Sequence, residues 1–404
     1  MNGLTRFIAA GVLLGASGVL AQDAAVPPPA EPSEPEGFVL RELVVLQTDR
    51  YDDLANNPKL IPTTLTKPIE HTGRSKRVTD DAGYDHSAMP LGVITLAGEL
   101  AEPMKMRLTM NDDRDRFHAL WPSVATVGDR LLQWDGIEAA AGEQLTVPLQ
   151  QNDDWLGPLR ASEDRLWFAT PDKDIKDRLF LYDASFVYEP AIELSRSQDD
   201  DGYVLSTNRP ERAAPPLTLL LQKTDAGWRS DAQASPWPGA TVPVPKNAGG
   251  NESSEASLAE ALQPLIELLQ QRGYNAAEID LAIAMVGGAG IDASAMSLVY
   301  VMPVGVLDEY VRLQIRPQPS ELIRTAIVVV NSVDPDLGSR VDQLVADLGS
   351  DDWDTRDRAQ QRLLDLGQAA IEKITPLKNS SDPEVAFRVR QIIGAYEWQM
   401  ETGP

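Results

Sequence analysis

The sequence predicts a multidomain fold: an all-β, sandwich-like domain at residues 38–234, an α+β domain at 257–349 and a short helical segment at 350–404. Three observations predict it. Apolar residues alternate with period two before the Pro-rich stretch at 235–256 and recur with helical spacing after it. That stretch, with Pro236, Pro238, Pro243, Pro245, Asn247, Gly249, Gly250 and Asn251, reads as a linker. A chain of 404 residues also exceeds what one core commonly organises.

From the N-terminus, residues 1–21 read as a signal peptide: Arg6, an apolar run over 7–20, then Ala21 before Gln22. The run is shorter than the roughly 20 residues of a membrane span. The mature chain is therefore expected to begin at Gln22 and be exported, periplasmic or extracellular; an uncleaved N-terminal anchor is the competing reading. Residues 22–37, with Pro27, Pro28, Pro29, Pro32 and Pro35, form an extended linker. Beyond them no apolar run is long enough for an integral membrane segment, since 217–221 and 327–330 are of strand size.

Residues 38–47, 93–100, 104–110, 143–149, 165–170, 179–182, 185–188, 203–207 and 217–223 carry strand patterns. In 104–110, Met104, Met106, Leu108 and Met110 share one face while Lys105, Arg107 and Thr109 take the other. Asp225, Ala226 and Gly227 suit a hairpin turn into Trp228. Six of the eight Trp precede Pro238, as expected of aromatics packed between sheets; a carbohydrate platform would also use them.

In 257–349, Ser257 with Glu260 and Asn275 with Glu278 fit capping boxes ahead of apolar stripes. Pro264 either kinks the first helix or marks its true first turn, and the second should stop at Gly287 and Gly288. Strands are expected at 298–302, 310–315 and 323–330, followed by a helix carrying Leu337, Val341, Leu344, Val345 and Leu348.

Sliding the sequence by 30 positions sets Asp352, Asp354, Arg358, Ala359 and Leu363 opposite Asp382, Glu384, Arg388, Val389 and Ile393. Asp382 before Pro383 is a helix start; Gly367 ends the preceding helix, and Ala370, Ile371 and Ile374 give the next its apolar face. With Asp352, Arg356, Ala359, Leu363, Leu366 and Gly367, the segment resembles a HEAT-type helical hairpin. The second copy departs at Ala386 and Val389. The resemblance covers about 50 residues and implies an interaction surface for a protein partner; the alternative is that these helices cap the neighbouring domain.

Chemistry-bearing motifs are sparse. Without cysteine there is no thiolate metal site, thiol nucleophile or lipidated cysteine. A net charge of −25 excludes nucleic acid as an expected partner and favours solubility. None of His71, His86 and His118 has helical zinc spacing. His86, beside Tyr84 and Asp85, could serve as base or ligand or be a surface-loop residue. Asp199, Asp201 and Gly202 match part of a calcium loop, but Ser197 and Asn208 fail at its ends, so an acidic hairpin turn is expected. Asn111, Asp113 and Asp115 lack the glycine, and Gly287, Gly288 and Gly290 lack the Lys and Ser/Thr of a phosphate loop. Arg74, Lys76 and Arg77 form a basic cluster that suits a solvated loop or an anion site. No catalytic, cofactor-binding or metal residue is singled out, and no cofactor is expected. The sequence is read as an exported, non-enzymatic binding or scaffolding protein of the cell envelope. The competing readings are a secreted hydrolase with paired carboxylates on the β-rich domain and a chaperone-like assembly factor with an exposed apolar groove.

Overall fold

The β1 strand (Phe38–Tyr51) lies at the heart of the fold, because its apolar residues on both faces suit a strand covered on both sides. The computed structural model describes residues 37–402 apart from 52–58, 63–91, 141–155, 246–256 and a few shorter stretches. Running outward from one edge, the nine-stranded sheet is ordered β14 (Gly227–Gln233), β13 (Leu217–Thr224), β16 (Met296–Val301), β18 (Glu321–Asn331), β1, β3 (Gly92–Gly98), β10 (Leu179–Ser185) and β5 (Arg116–Trp121). The short β2 (Lys59–Pro62) pairs with the end of β1. The β1–β18 pair is parallel, from Val39 beside Glu321 to Asp49 beside Asn331.

A six-stranded sheet has the order β17 (Val311–Arg316), β4 (Met104–Met110), β7 (Leu131–Ala139), β8 (Phe168–Ala169) and β9 (Lys176–Asp177), with β6 (Thr126–Gly128) also on β7. The alternation in β4 is realised: its four apolar residues are buried and Lys105 is exposed. Trp134 of β7 meets Phe180 of β10 edge-on at 5.4 Å, and Phe168 stacks on Phe180 at 4.1 Å, so this sheet shares a core with the nine-stranded one. A third sheet comprises β11 (Ile192–Arg196), β12 (Gly202–Thr207) and β15 (Thr241–Pro245).

The helices are α1 (Gly157–Ala161), α2 (Leu258–Ala261), α3 (Gln263–Gln271), α4 (Ala276–Gly288), α5 (Leu337–Leu348), α6 (Trp353–Asp365), α7 (Gln368–Ile374) and α8 (Pro383–Thr402). Both expected capping boxes form, at Ser257 with Glu260 and at Asn275 with Glu278. Pro264 sits in the first turn of α3, where its missing N–H breaks no helical bond. The α4 helix ends at Gly288, and Gly290 follows with φ +72°.

The fold is thus mixed, strands in three sheets with helices that include a C-terminal group. It differs from the sequence expectation in how the chain is divided. Strands on both sides of 235–256 share the nine-stranded sheet, and β15 lies inside that Pro-rich stretch. Its prolines are tolerated because β15 is an edge strand. Pro35–Pro404 group as one compact unit. Within it, one hydrophobic cluster runs from Phe38 to Val333 and a second occupies the C-terminal helices from Leu337 onward. Of the expected strand at 165–170 only Phe168–Ala169 forms; 143–149 and 186–188 lie outside the described residues. The unanticipated β7 is continuous but carries Gly136, φ +66°, where its register with β4 shifts.

Candidate functional site

Two places concentrate polar chemistry inside the larger cluster. In the first, Glu42 of β1 is completely buried. Its Oε1 accepts from Tyr182 Oη at 2.7 Å, its Oε2 accepts from Arg324 Nε, and its backbone carbonyl accepts from Tyr274 Oη at 2.9 Å. Arg324 of β18 stands beside Glu42 in register and also donates to Asp308 and to the Val311 carbonyl. Tyr182, on β10, must cross β3 to arrive there, and it crosses over Gly92. A Cβ at position 92 would lie 2.2 Å from the tyrosine ring, so only glycine leaves the path open. Burial, then the Glu42 charge, push the Tyr182 hydroxyl well above the usual tyrosine range. For Arg324 burial acts downward, but the Glu42 carboxylate outweighs it and the guanidinium stays firmly protonated. A proton-transfer role requires an open approach, and Glu42 has no solvent contact; the arrangement locks register.

The second place is Glu278 at the start of α4. Its Oε2 accepts from the Asn275 backbone N–H at 3.0 Å and from Arg165 Nη2 at 2.5 Å. Its Oε1 accepts from Thr95 Oγ1 at 2.6 Å and Arg165 Nε at 3.0 Å. The capping residue read from sequence therefore also pins the helix to β3. A similar buried pair joins Arg160 to Asp177, whose Oδ2 also accepts from Trp121 Nε1 at 2.9 Å.

Of the residues considered from sequence, His71, His86, Tyr84, Asp85, Arg74, Lys76, Arg77, Asp199 and Asp201 lie outside the described residues, as does the side chain of His118 in β5. Gly202 opens β12, which pairs antiparallel with β11. Asn111 donates to the Asp308 and Glu309 carbonyls, while Asp115 is buried and Asp113 exposed. Trp121 and Trp134 are buried packing residues. Among the described residues no group of three His, Cys, Asp or Glu side chains could hold a metal ion. None of the helices described is long and apolar enough to cross a membrane.

The C-terminal helices present a different arrangement. Asp352 caps α6 by accepting from the Thr355 N–H at 3.0 Å, and Asp382 caps α8 by accepting from the Glu384 N–H at 2.9 Å. Arg356 pairs with Glu384 at 3.2 Å and Arg388 donates to Gln360 at 2.8 Å. Both contacts have the same offset, so α6 and α8 run side by side in the same direction. Lys373 of α7 reaches the Gly338 carbonyl and Asp342 of α5. Ala359, Leu363, Ala370, Ile371, Ile374, Val385, Val389 and Ile392 are buried between the helices.

Outside that core, Trp353, Phe387 and Trp398 are exposed by 59%, 51% and 64%. Phe387 and Trp398 are three turns apart on one side of α8. Turning about 100° per residue from the side chains that join the helices places Trp353 of α6 on the same side of the α6–α8 layer. This aromatic face is the candidate site. No family model matches the sequence, and no curated protein matches it significantly. Sequence reading had placed an interaction surface in this segment without noting the aromatic residues; the spacing of Phe387 and Trp398, opposite buried Val385, Val389 and Ile392, was the available signal.

Proposed function

We propose that the protein is an exported, non-enzymatic binding or scaffolding protein of the cell envelope that holds a protein partner on its C-terminal helices. One observation carries the reading: of the five large hydrophobic side chains exposed among the described residues, three lie along one side of the α6–α8 layer. Exposed aromatic groups that a monomer would otherwise cover mark contact surfaces, and such residues commonly anchor interfaces. The two capped helices, thirty residues apart and parallel, support the HEAT-like reading, in which equivalent helices stack side by side. The shared core of the nine- and six-stranded sheets supports a sandwich-like body that acts as the base. Export rests on the signal-like residues 1–21.

The competing hydrolase would need two carboxylates with displaced pKa values facing an open cleft. Asp334 has a raised carboxyl, but it is buried at the start of α5, accepting from the Asp336 N–H and paired with Arg340. The test is a photocrosslinking residue placed at Phe387 or, as control, at exposed Asp280 of α4, followed by irradiation in native envelope. A discrete protein adduct is expected from position 387 and none from position 280. Adducts from neither, or equally from both, would remove the reading.

A further inference from the structure

The aromatic face is flanked by exposed carboxylates on its α6 side. Continuing around α6 from Trp353, the side chains on that side are the partly buried Leu364, then Asp357, Gln361 and Asp354; on α8 they are Gln391, Trp398, Phe387 and Gly394. The charged groups among them are both carboxylates, and both are exposed. Four nearby cations are held by partners within the helical group. Arg356 and Arg388 face the seam between the helices, Arg358 donates back to the Asp354 carbonyl, and Arg390 donates to the Lys378 carbonyl. At Gly394 an added Cβ would meet nothing within 4 Å, so a partner can come close to the α8 backbone between Phe387 and Trp398.

Resting on the binding reading above, we infer that this face takes a basic amphipathic segment of a partner protein, one that sets Lys or Arg beside aliphatic side chains. The long stems of Lys and Arg lie along aromatic surface while their charged heads remain in water. Trp353 and Phe387 provide the surface for stems and for cation–π contact, and Asp354 and Asp357 stand where the heads emerge. An acidic segment would bring like charges together on a chain already at −25, and that juxtaposition disfavours it. A wholly apolar segment would leave Asp354 and Asp357 at its rim with no matching charge.

The test uses the purified full chain and two fluorescent helical peptides of the same pattern, one of leucine and lysine, the other of leucine and glutamate. Anisotropy titrations are expected to show binding of the lysine peptide alone, weakened by added salt. Asp357→Lys and Phe387→Ser should each weaken it about tenfold, while Asp280→Lys, the same charge change on exposed α4, should change it less than about twofold. Equal losses for Asp357→Lys and Asp280→Lys would reduce the effect to overall charge and overturn the inference, as would equal binding of both peptides. The two proposals fail separately. An adduct from position 387 in native envelope that survives Asp357→Lys would overturn the basic-segment inference and keep the binding reading. Selective peptide binding without an adduct would overturn the binding reading alone.

Discussion

The body built around β1 and the C-terminal helical group solve the same problem, burial of apolar side chains, with different means of specifying which surfaces meet. In the body, residues far apart in sequence must find one register, as in the β1–β18 pair. A strand slipped by one residue would turn its apolar set to the wrong face. Buried polar groups remove that freedom: Glu42 accepts from Tyr182 and Arg324 only when β10, β3, β1 and β18 are aligned, and Glu278 accepts from Thr95 and Arg165 only when α4 sits over β3. The helical group has an aliphatic core and places the pairs of Arg356 and Arg388 with Glu384 on the seam surface, where Glu384 remains 45% exposed. Its contacts join helices close in sequence, α6 with α8 and α7 with α5. The difference separates a body whose polar interior fixes one alignment from a helical group whose outer side is left to other uses.

The largest expected effect tests the polar interior. Glu42→Ala leaves the Arg324 guanidinium and Tyr182 hydroxyl buried without their shared acceptor, which should cost about 3–5 kcal/mol in chemical denaturation. Gly92→Ala should reproduce part of that loss with Glu42 intact, since its methyl group occupies the path of the Tyr182 ring. A loss below about 1 kcal/mol in both variants would mean that apolar packing alone aligns these strands.

A smaller and more local effect is expected in the helices. Leu363 is fully buried, so Leu363→Asp places a carboxylate in the helical core at a cost of about 3 kcal/mol. Gln361 is exposed, and Gln361→Asp should be tolerated within about 0.5 kcal/mol. Gln360 is no equivalent control, because it is half-buried and accepts from Arg388. Proteolysis and circular dichroism should show α6–α8 loosened with the body intact, since the two clusters have separate cores meeting between Val333 and Leu337. Simultaneous unfolding of both would make them one cooperative unit.

Features set by neighbours in sequence were legible before the structure: the caps at Ser257, Asn275, Asp352 and Asp382, the alternation in β4, and the helix ending at Gly288. Each is written within a few residues of itself. The parallel partnership of β1 with β18 was not, because no period encodes which distant strand lies alongside. Glu42 and Arg324 fall within expected strands, but that they face each other away from solvent follows only from that pairing. Pro243 and Pro245 read as linker because proline forbids a central strand, while an edge strand such as β15 accepts it. For the candidate site the segment was legible from its repeat, whereas its aromatic side required knowing which way α6 and α8 face each other.

The last expected effect lies where the two regions join. Asp334 follows the final strand of the body and precedes α5; it is paired with Arg340 at 2.8 Å, while Arg196 and Tyr203 from the three-stranded sheet reach Asp336 close by. Burial pushes the Asp334 carboxyl above its ordinary value, Arg340 pulls it back, and the Asp336 charge adds to the upward shift. A carboxyl whose folded pKa exceeds its unfolded value of about 3.9 binds its proton first in the folded state. Its contribution to stability therefore rises as pH falls through the folded pKa, levels off below the unfolded pKa, and is absent near neutrality. Asp352 has the opposite sign: its bonds from Thr355 lower its pKa, so the α6 cap contributes at neutral pH and weakens as the carboxylate is protonated. Mild acid above pH ~4 should thus favour the junction before it begins to erode the α6 cap. Asp334→Asn removes the titrating group while keeping most of its shape, so the variant should lack the acid-side gain that the parent shows between neutrality and pH ~4. Thermal unfolding followed across that range measures the difference between the two curves. Parallel curves would mean that Asp334 titrates alike in the folded and unfolded chain, and that the junction adds no pH dependence of its own.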